Sequence, residues 1–185
     1  VSAEYPLAVW CASPNFTRGR GKSVDAIVYH HTDGQPHIDR AVRHLQKSRA
    51  DYAAEGRDRG GVSAHFLIGQ GGEVVQLVHL ADTAWHASGV NTRTVGIEHI
   101  ARTPGELGLD DPGLKLTQPQ LAASAALVAW LCARFSLPVD DAHILPHHCI
   151  PGTSHTDCGL DTLRGGIWPT RDWFAMIRAA SAASK

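Results

Sequence analysis

Twelve histidines in a 185-residue chain with a single methionine set the chemical question, because imidazole binds divalent metals and moves protons near neutral pH. They are spread from His30 to His155 with no poly-histidine run, which excludes a tag. Three clusters bring histidine, thiol or carboxylate together. The first is His30-His31-Thr32, closing an apolar stretch. Successive side chains on a strand face opposite ways, so only one of His30 and His31 can enter a given site; a structural strand-end histidine is the competing reading. The second is His147-His148-Cys149-Ile150-Pro151-Gly152, followed by Thr156-Asp157-Cys158-Gly159. Imidazole, thiolate and carboxylate are zinc ligands, and three of them with an open fourth position make a hydrolytic site. Cys and Asp in a Gly/Pro-rich loop also serve as turn formers. The third is Thr94-Val95-Gly96-Ile97-Glu98-His99. A carboxylate in an apolar strand is costly to bury without a partner. Val95 and Ile97 lie on one face and Glu98 on the other, so Glu98 is either a solvated strand residue or a general base whose pKa its pocket has raised.

The elements that must position these groups follow from periodicity and punctuation. Val24–His30 is β-branched and apolar, a buried strand. Ile38, Ala41, Val42 and Leu45 recur at helical spacing and predict a helix over 37–48. Residues 63–69 and 73–78 flank a Gly-rich turn and read as a hairpin. Residues 94–100 form another strand, and 101–116, rich in Gly and Pro, a long loop. Thr117 with Gln120 three residues on is a capping box for a helix running to about Phe135. Residues 142–145 are a last short strand. Pro169 fits the first turn of a closing helix that covers Trp173, Phe174 and Ile177. Strands interleaved with helices, several of them long, predict a single domain of the α/β or α+β class, with helices on a central sheet; we take α/β as the expectation. Residues 1–23 read as an irregular arm laid over that core, and 24–185 as the domain proper.

Composition narrows the partners. The chain is 43% hydrophobic and 19% charged, enough apolar material for a core. Seventeen basic against eighteen acidic side chains give a net charge of -1, so no basic field exists to hold nucleic acid or an anionic membrane. No apolar run approaches the roughly 18 residues that span a bilayer. The chain begins at Val1 without methionine, which fits either a processed product or a trimmed one. Of Cys11, Cys132, Cys149 and Cys158 none forms a CxxC pair; Cys132 reads as a core residue, and a disulfide from Cys11 cannot be assigned.

Five segments, in order, resemble the zinc-dependent N-acetylmuramoyl-L-alanine amidases of the type-2 family, which includes AmpD-like bacterial enzymes, phage endolysins and peptidoglycan recognition proteins. They are IVYHHT (27–32), VSAHFLIGQGGEVVQLV (62–78), AWHA (84–87), N-x-x-TVGIE (91–98) and H-x-x-I-P-G with its TDCG tail (147–159). The resemblance runs from about Val24 to Trp173. It implies a central mixed β-sheet flanked by helices, with a zinc cleft at one edge, and one Zn2+ held by His30, His147 and Cys158. His148 competes with His147. The third ligand is Cys158 or Asp157, because Asp157-Cys158-Gly159 lacks one residue of the family's D-C-P-G or T-D-P-G ending; Cys158 keeps Thr156 two positions before the ligand.

The same resemblance makes Glu98 the base and Thr156, or His155, the donor to the tetrahedral oxyanion. It places His65, Trp85, His86 and Asn91 near the cleft as substrate contacts or supports, with packing an equal reading for His65, Trp85 and His86. The implied reaction is hydrolysis of the amide between N-acetylmuramic acid and L-alanine in peptidoglycan or muropeptides, by a protein that is secreted, periplasmic or phage-delivered to the wall. The alternatives are a metal-free peptidoglycan-binding module and a zinc peptidase cutting within the stem peptide.

Overall fold

Every side chain of Ala26–His31 is buried, so this strand must be covered on both faces. In the computed structural model, which describes residues 2–32, 37–57, 60–101, 116–155 and 170–183, it lies in a six-stranded sheet. In chain order the elements are β1 (Ala8–Trp10), β2 (Phe16–Thr17), β3 (Ala26–His31), α1 (Ile38–Leu45), α2 (Arg49–Ala54), β4 (Phe66–Ile68), β5 (Val74–Gln76), β6 (Thr83–Ala84), β7 (Thr94–His99), α3 (Gln118–Phe135), β8 (Ile144–Pro146) and α4 (Thr170–Ala183). The sheet order is β1-β5-β4-β7-β3-β8. β4, β7, β3 and β8 run parallel, while β5 is antiparallel to β4 and parallel to β1.

Alternation sorts the side chains onto two faces. Ile27, Tyr29, Val95 and Ile97 pack against Leu121, Leu127, Leu131 and Trp173 of α3 and α4. Trp173 is fully buried, its ring meeting Tyr29 edge-on at 5.0 Å, the geometry aromatic quadrupoles favour. On the opposite face Leu67, Val75 and Leu77 pack with Ala41 and Leu45 of α1, and Val28 with Ala87, Val90 and Ile150. That second face carries the site.

The expected hairpin, helices and buried strands are present, with bounds shifted by a few residues. Two differences have physical causes. The helix expected over 37–48 stops at Leu45, and Ser48 starts α2: its hydroxyl accepts from the Asp51 amide, and the Asp51 carboxylate accepts from the Ser48 amide. The arm is not merely laid on the core. β1 completes the sheet edge beside β5, and Asn15 donates to the carbonyls of Lys47 (2.8 Å) and Val62 (3.0 Å). Residues 102–115 of the expected long loop lie outside the described residues. Cys11, Cys132 and Cys149 are free thiols; burial, with a smaller push from Asp140, raises the Cys132 thiol to about 11.

The capping box of α3 is formed as read: Thr117 accepts from the Gln120 amide at 3.2 Å, and the Gln120 side chain accepts from the Thr117 amide. The Thr117 hydroxyl also donates to the Gln70 carbonyl, tying the helix start to the hairpin turn. Thr117→Ala therefore removes a cap and a tether, and is expected to cost about 1–2 kcal/mol. A lower urea midpoint at unchanged m-value is the expected measurement; an unchanged midpoint refutes it.

Candidate active site

The C-terminal ends of β3 and β7 carry the chemistry. His30 and Glu98 are register partners and share a face, as do Val28 and Gly96 one repeat earlier. Glu98 thus faces away from the Val95/Ile97 core, as its position in the strand requires. The residues after β8 enter from the side: His147 to Cys149 form a 3₁₀ turn, in which successive side chains diverge by about 120°. His147 turns inward and is 4% exposed. His148 turns outward, beside the Cys149 Sγ at 3.3 Å. Of the two competing histidines, the fold brings His147 to His30.

His30 is 2% exposed. Its Nδ1 lies 3.0 Å from Nδ1 of His147, and its Nε2 lies 3.1 Å from Nδ1 of His86. The far nitrogen of His86 meets the Thr94 hydroxyl at 3.1 Å, and the far nitrogen of His147 lies 3.4 Å from Oγ1 of Thr153. His155 stacks on His147, ring centres 4.6 Å apart. Burial, then the neighbouring His30, His65, His147 and Arg20, hold His86 well below the ordinary imidazole pKa. The cleft above these groups has a volume of about 410 Å³, and its walls include His30, Trp85, His86, Glu98, His147 and His155. His31 also reaches this cleft from the end of β3.

The convergence of two Nδ1 atoms fits a divalent ion. Zinc takes imidazole nitrogen at about 2.0–2.1 Å in a tetrahedron, which sets two such nitrogens about 3.3–3.4 Å apart. The observed 3.0 Å is close to that edge, and each ring's other nitrogen is held by a neighbour, as ligating histidines require. Among the described residues no three His, Cys, Asp or Glu side chains are arranged so that together they could hold a metal ion. Asp157 and Cys158, the two choices for third ligand, lie outside the described residues, as does Thr156.

The four residues expected near the cleft occupy different situations. His65 is fully buried; its Nδ1 accepts from the Gly96 amide at 3.0 Å, and its Nε2 faces the Asp82 carbonyl at 3.3 Å. Burial and then Arg20 lower its pKa to about 3, so it is a neutral strut under β7 without a face toward the cleft. Asn91 accepts through Oδ1 from the amides of His86 (3.0 Å) and Ala87 (2.7 Å), clamping the loop that carries His86. Trp85, 36% exposed at the rim, donates from Nε1 to the Thr17 hydroxyl at 3.0 Å. His86 alone of the four touches a histidine of the converging pair.

Several supporting residues carried no sequence signal of their own. Gly96 is required by close approach: a Cβ there would lie 2.4 Å from Cγ of His86. Arg20, from the arm, donates to the Thr94 carbonyl at 2.9 Å, and burial lowers its pKa to about 10. His99 lies behind the site; its Nδ1 donates to the His30 carbonyl at 2.9 Å and its Nε2 accepts from the Ser124 hydroxyl at 2.8 Å. Burial lowers its pKa to about 3. Thr94 was visible within TVGIE without a role to give it.

Comparison with known proteins is consistent with this geometry. The chain is 39% identical over 74 residues to N-acetylmuramoyl-L-alanine amidase A of Achromobacter lyticus; the match covers 40% of this chain and 38% of that relative. Its fold is similar to that of a selenomethionine AmpD derivative, with a TM-score of 0.67, 24% identity, and coverage of 97% of this chain and 98% of that one. It is also similar to the amidase LysC of Clostridium intestinale, with a TM-score of 0.56, 19% identity and coverage of 90% and 96%. The Drosophila peptidoglycan recognition protein SA follows, with a TM-score of 0.56, 19% identity and coverage of 82% and 86%. These structural likenesses show the fold: one domain, a mixed sheet and flanking helices. The family profile described as N-acetylmuramoyl-L-alanine amidase matches residues 20–160, more than half of the sequence, and on that match the chain belongs to the type-2 N-acetylmuramoyl-L-alanine amidase family.

Proposed function

We propose that the protein is a zinc-dependent amidase that hydrolyses the amide joining the lactyl group of N-acetylmuramic acid to the L-alanine of the peptidoglycan stem. The observation that carries this reading is the approach of His30 Nδ1 to His147 Nδ1, beside Glu98, in an open cleft. His30 and His147 would hold the zinc, with Cys158 or Asp157 as third ligand. When bound, zinc supplies Lewis acidity, lowering the pKa of a water and polarising the amide carbonyl.

The protein's own groups do the rest. Glu98 takes the proton of the attacking water and delivers it to the departing amine, so one carboxylate serves as base and then acid. Thr156, or the exposed His155, donates to the oxygen on which negative charge develops. Trp85 presents an aromatic face at the rim for sugar or peptide. Water adds across the amide: the lactyl carbon ends as a carboxylate and the stem peptide leaves with a free L-alanine amine.

Such a substrate places the action at the cell wall, reached by secretion, from the periplasm or by phage delivery. Among the described residues no helix is long and apolar enough to cross a membrane. The test is mass spectrometry of digested peptidoglycan. The expected products are stem peptides with a free N-terminal L-alanine and peptide-free muramic acid. Fragments cut within the stem, with L-alanine still on muramic acid, would make the protein a peptidase, and intact glycopeptide bound without cleavage would make it a binding module.

A further inference from the structure

We infer that His86 is a positioning residue: anchored on Thr94, it holds the His30 imidazole in the Nε2–H tautomer, so that Nδ1 presents its lone pair toward His147. The direction of the chain follows from its far end. The Thr94 hydroxyl lies 3.0 Å from the Val90 carbonyl oxygen and 3.1 Å from Nε2 of His86. Two oxygens at 3.0 Å repel unless a hydrogen lies between them, so the hydroxyl donates to Val90 and can only accept from His86. That puts the His86 ring proton on Nε2. A neutral imidazole has one N–H, so His86 Nδ1 is a lone pair and accepts from His30 Nε2 at 3.1 Å. His30 then has its lone pair at Nδ1, the atom 3.0 Å from His147.

Three features keep this relay from rotating out of line. Gly96 lets the His86 ring lie directly on β7, where any Cβ would collide with it. Asn91 clamps the His86 backbone. Thr94 itself is fully buried, and its carbonyl is held by Arg20. A ligating histidine donates its second N–H to a partner that fixes tautomer and orientation; here the partner is a second histidine, made an acceptor by a threonine hydroxyl. The consequence for metal affinity rests on the zinc reading above, whereas the tautomer does not.

The experiment uses Thr94→Val, which keeps shape and removes the acceptor, with Thr94→Ser as the conservative control and His86→Ala as a second, independent disruption. In 15N–1H spectra of the metal-free protein, His30 is expected as the Nε2–H tautomer in the wild type and Thr94→Ser, and as a mixture or Nδ1–H in Thr94→Val. Zinc affinity by chelator competition is expected to fall about 10- to 100-fold in Thr94→Val and His86→Ala and to be regained in Thr94→Ser. A wild-type His30 protonated at Nδ1, or a folded Thr94→Val with wild-type zinc affinity, overturns the inference. If Thr94→Val does not fold, the wild-type spectrum and His86→Ala decide alone. A wild type that takes up no zinc overturns the amidase reading instead, and the tautomer spectrum still decides the role of His86.

Discussion

His30→Ala is expected to eliminate zinc uptake and hydrolysis together. The imidazole supplies one of the two nitrogens that converge in the cleft, and its loss leaves His147 without that partner. The metal contributes several kcal/mol of transition-state stabilisation in hydrolases of this type, so turnover should fall by roughly 10³-fold or more. The fold should survive. The carbonyl that accepts from His99 belongs to the backbone and is untouched by the substitution, and the β3 register is set by its apolar neighbours Ile27 and Tyr29. Metal analysis of the purified variant and release of stem peptide are the measurements. Stoichiometric zinc in a folded His30→Ala protein would remove His30 from the ligand set.

Glu98→Gln is expected to separate metal from chemistry. The substitution preserves size and strand position but cannot take a proton from water. Its β7 neighbours, Ile97 against the α3 face and the His30 pairing across the strand, depend on backbone register rather than on the carboxylate. Zinc content should remain one ion per chain, while turnover falls by about 10²–10⁴, the usual worth of a positioned acid–base group. A near-normal rate would mean that another group moves the proton. The contrast between the two variants is the diagnostic: one loses metal and rate, the other rate alone.

Much of the scaffold was legible because its signals are local. The Thr117/Gln120 pair announces the start of α3 within four residues, and the structure forms both of its bonds. Alternation in β7 assigns Val95 and Ile97 to one face and Glu98 to the other before any partner strand is known, and the observed core follows it. The competition between His147 and His148 was not legible, since both ring types and both positions suit a ligand. In the structure a 3₁₀ turn sends only His147 inward, to His30. The arm misled for a related reason: three residues of β1 carry too weak a pattern to announce a strand, and only the exposed edge of β5 gives them a place.

By itself the amino-acid sequence determined most of the element types, the family and the inventory of groups capable of hydrolysis, because each depends on residue identity over short spans. Tertiary structure decided which of those groups meet. His30 and His147 are 117 positions apart, and His86 reaches His30 across 56; their contacts arise from strand order and from where the loops return over the sheet. The direction of a proton between two imidazoles depends on a hydroxyl and a carbonyl farther along, and relations of that kind exist only once the chain has closed on itself.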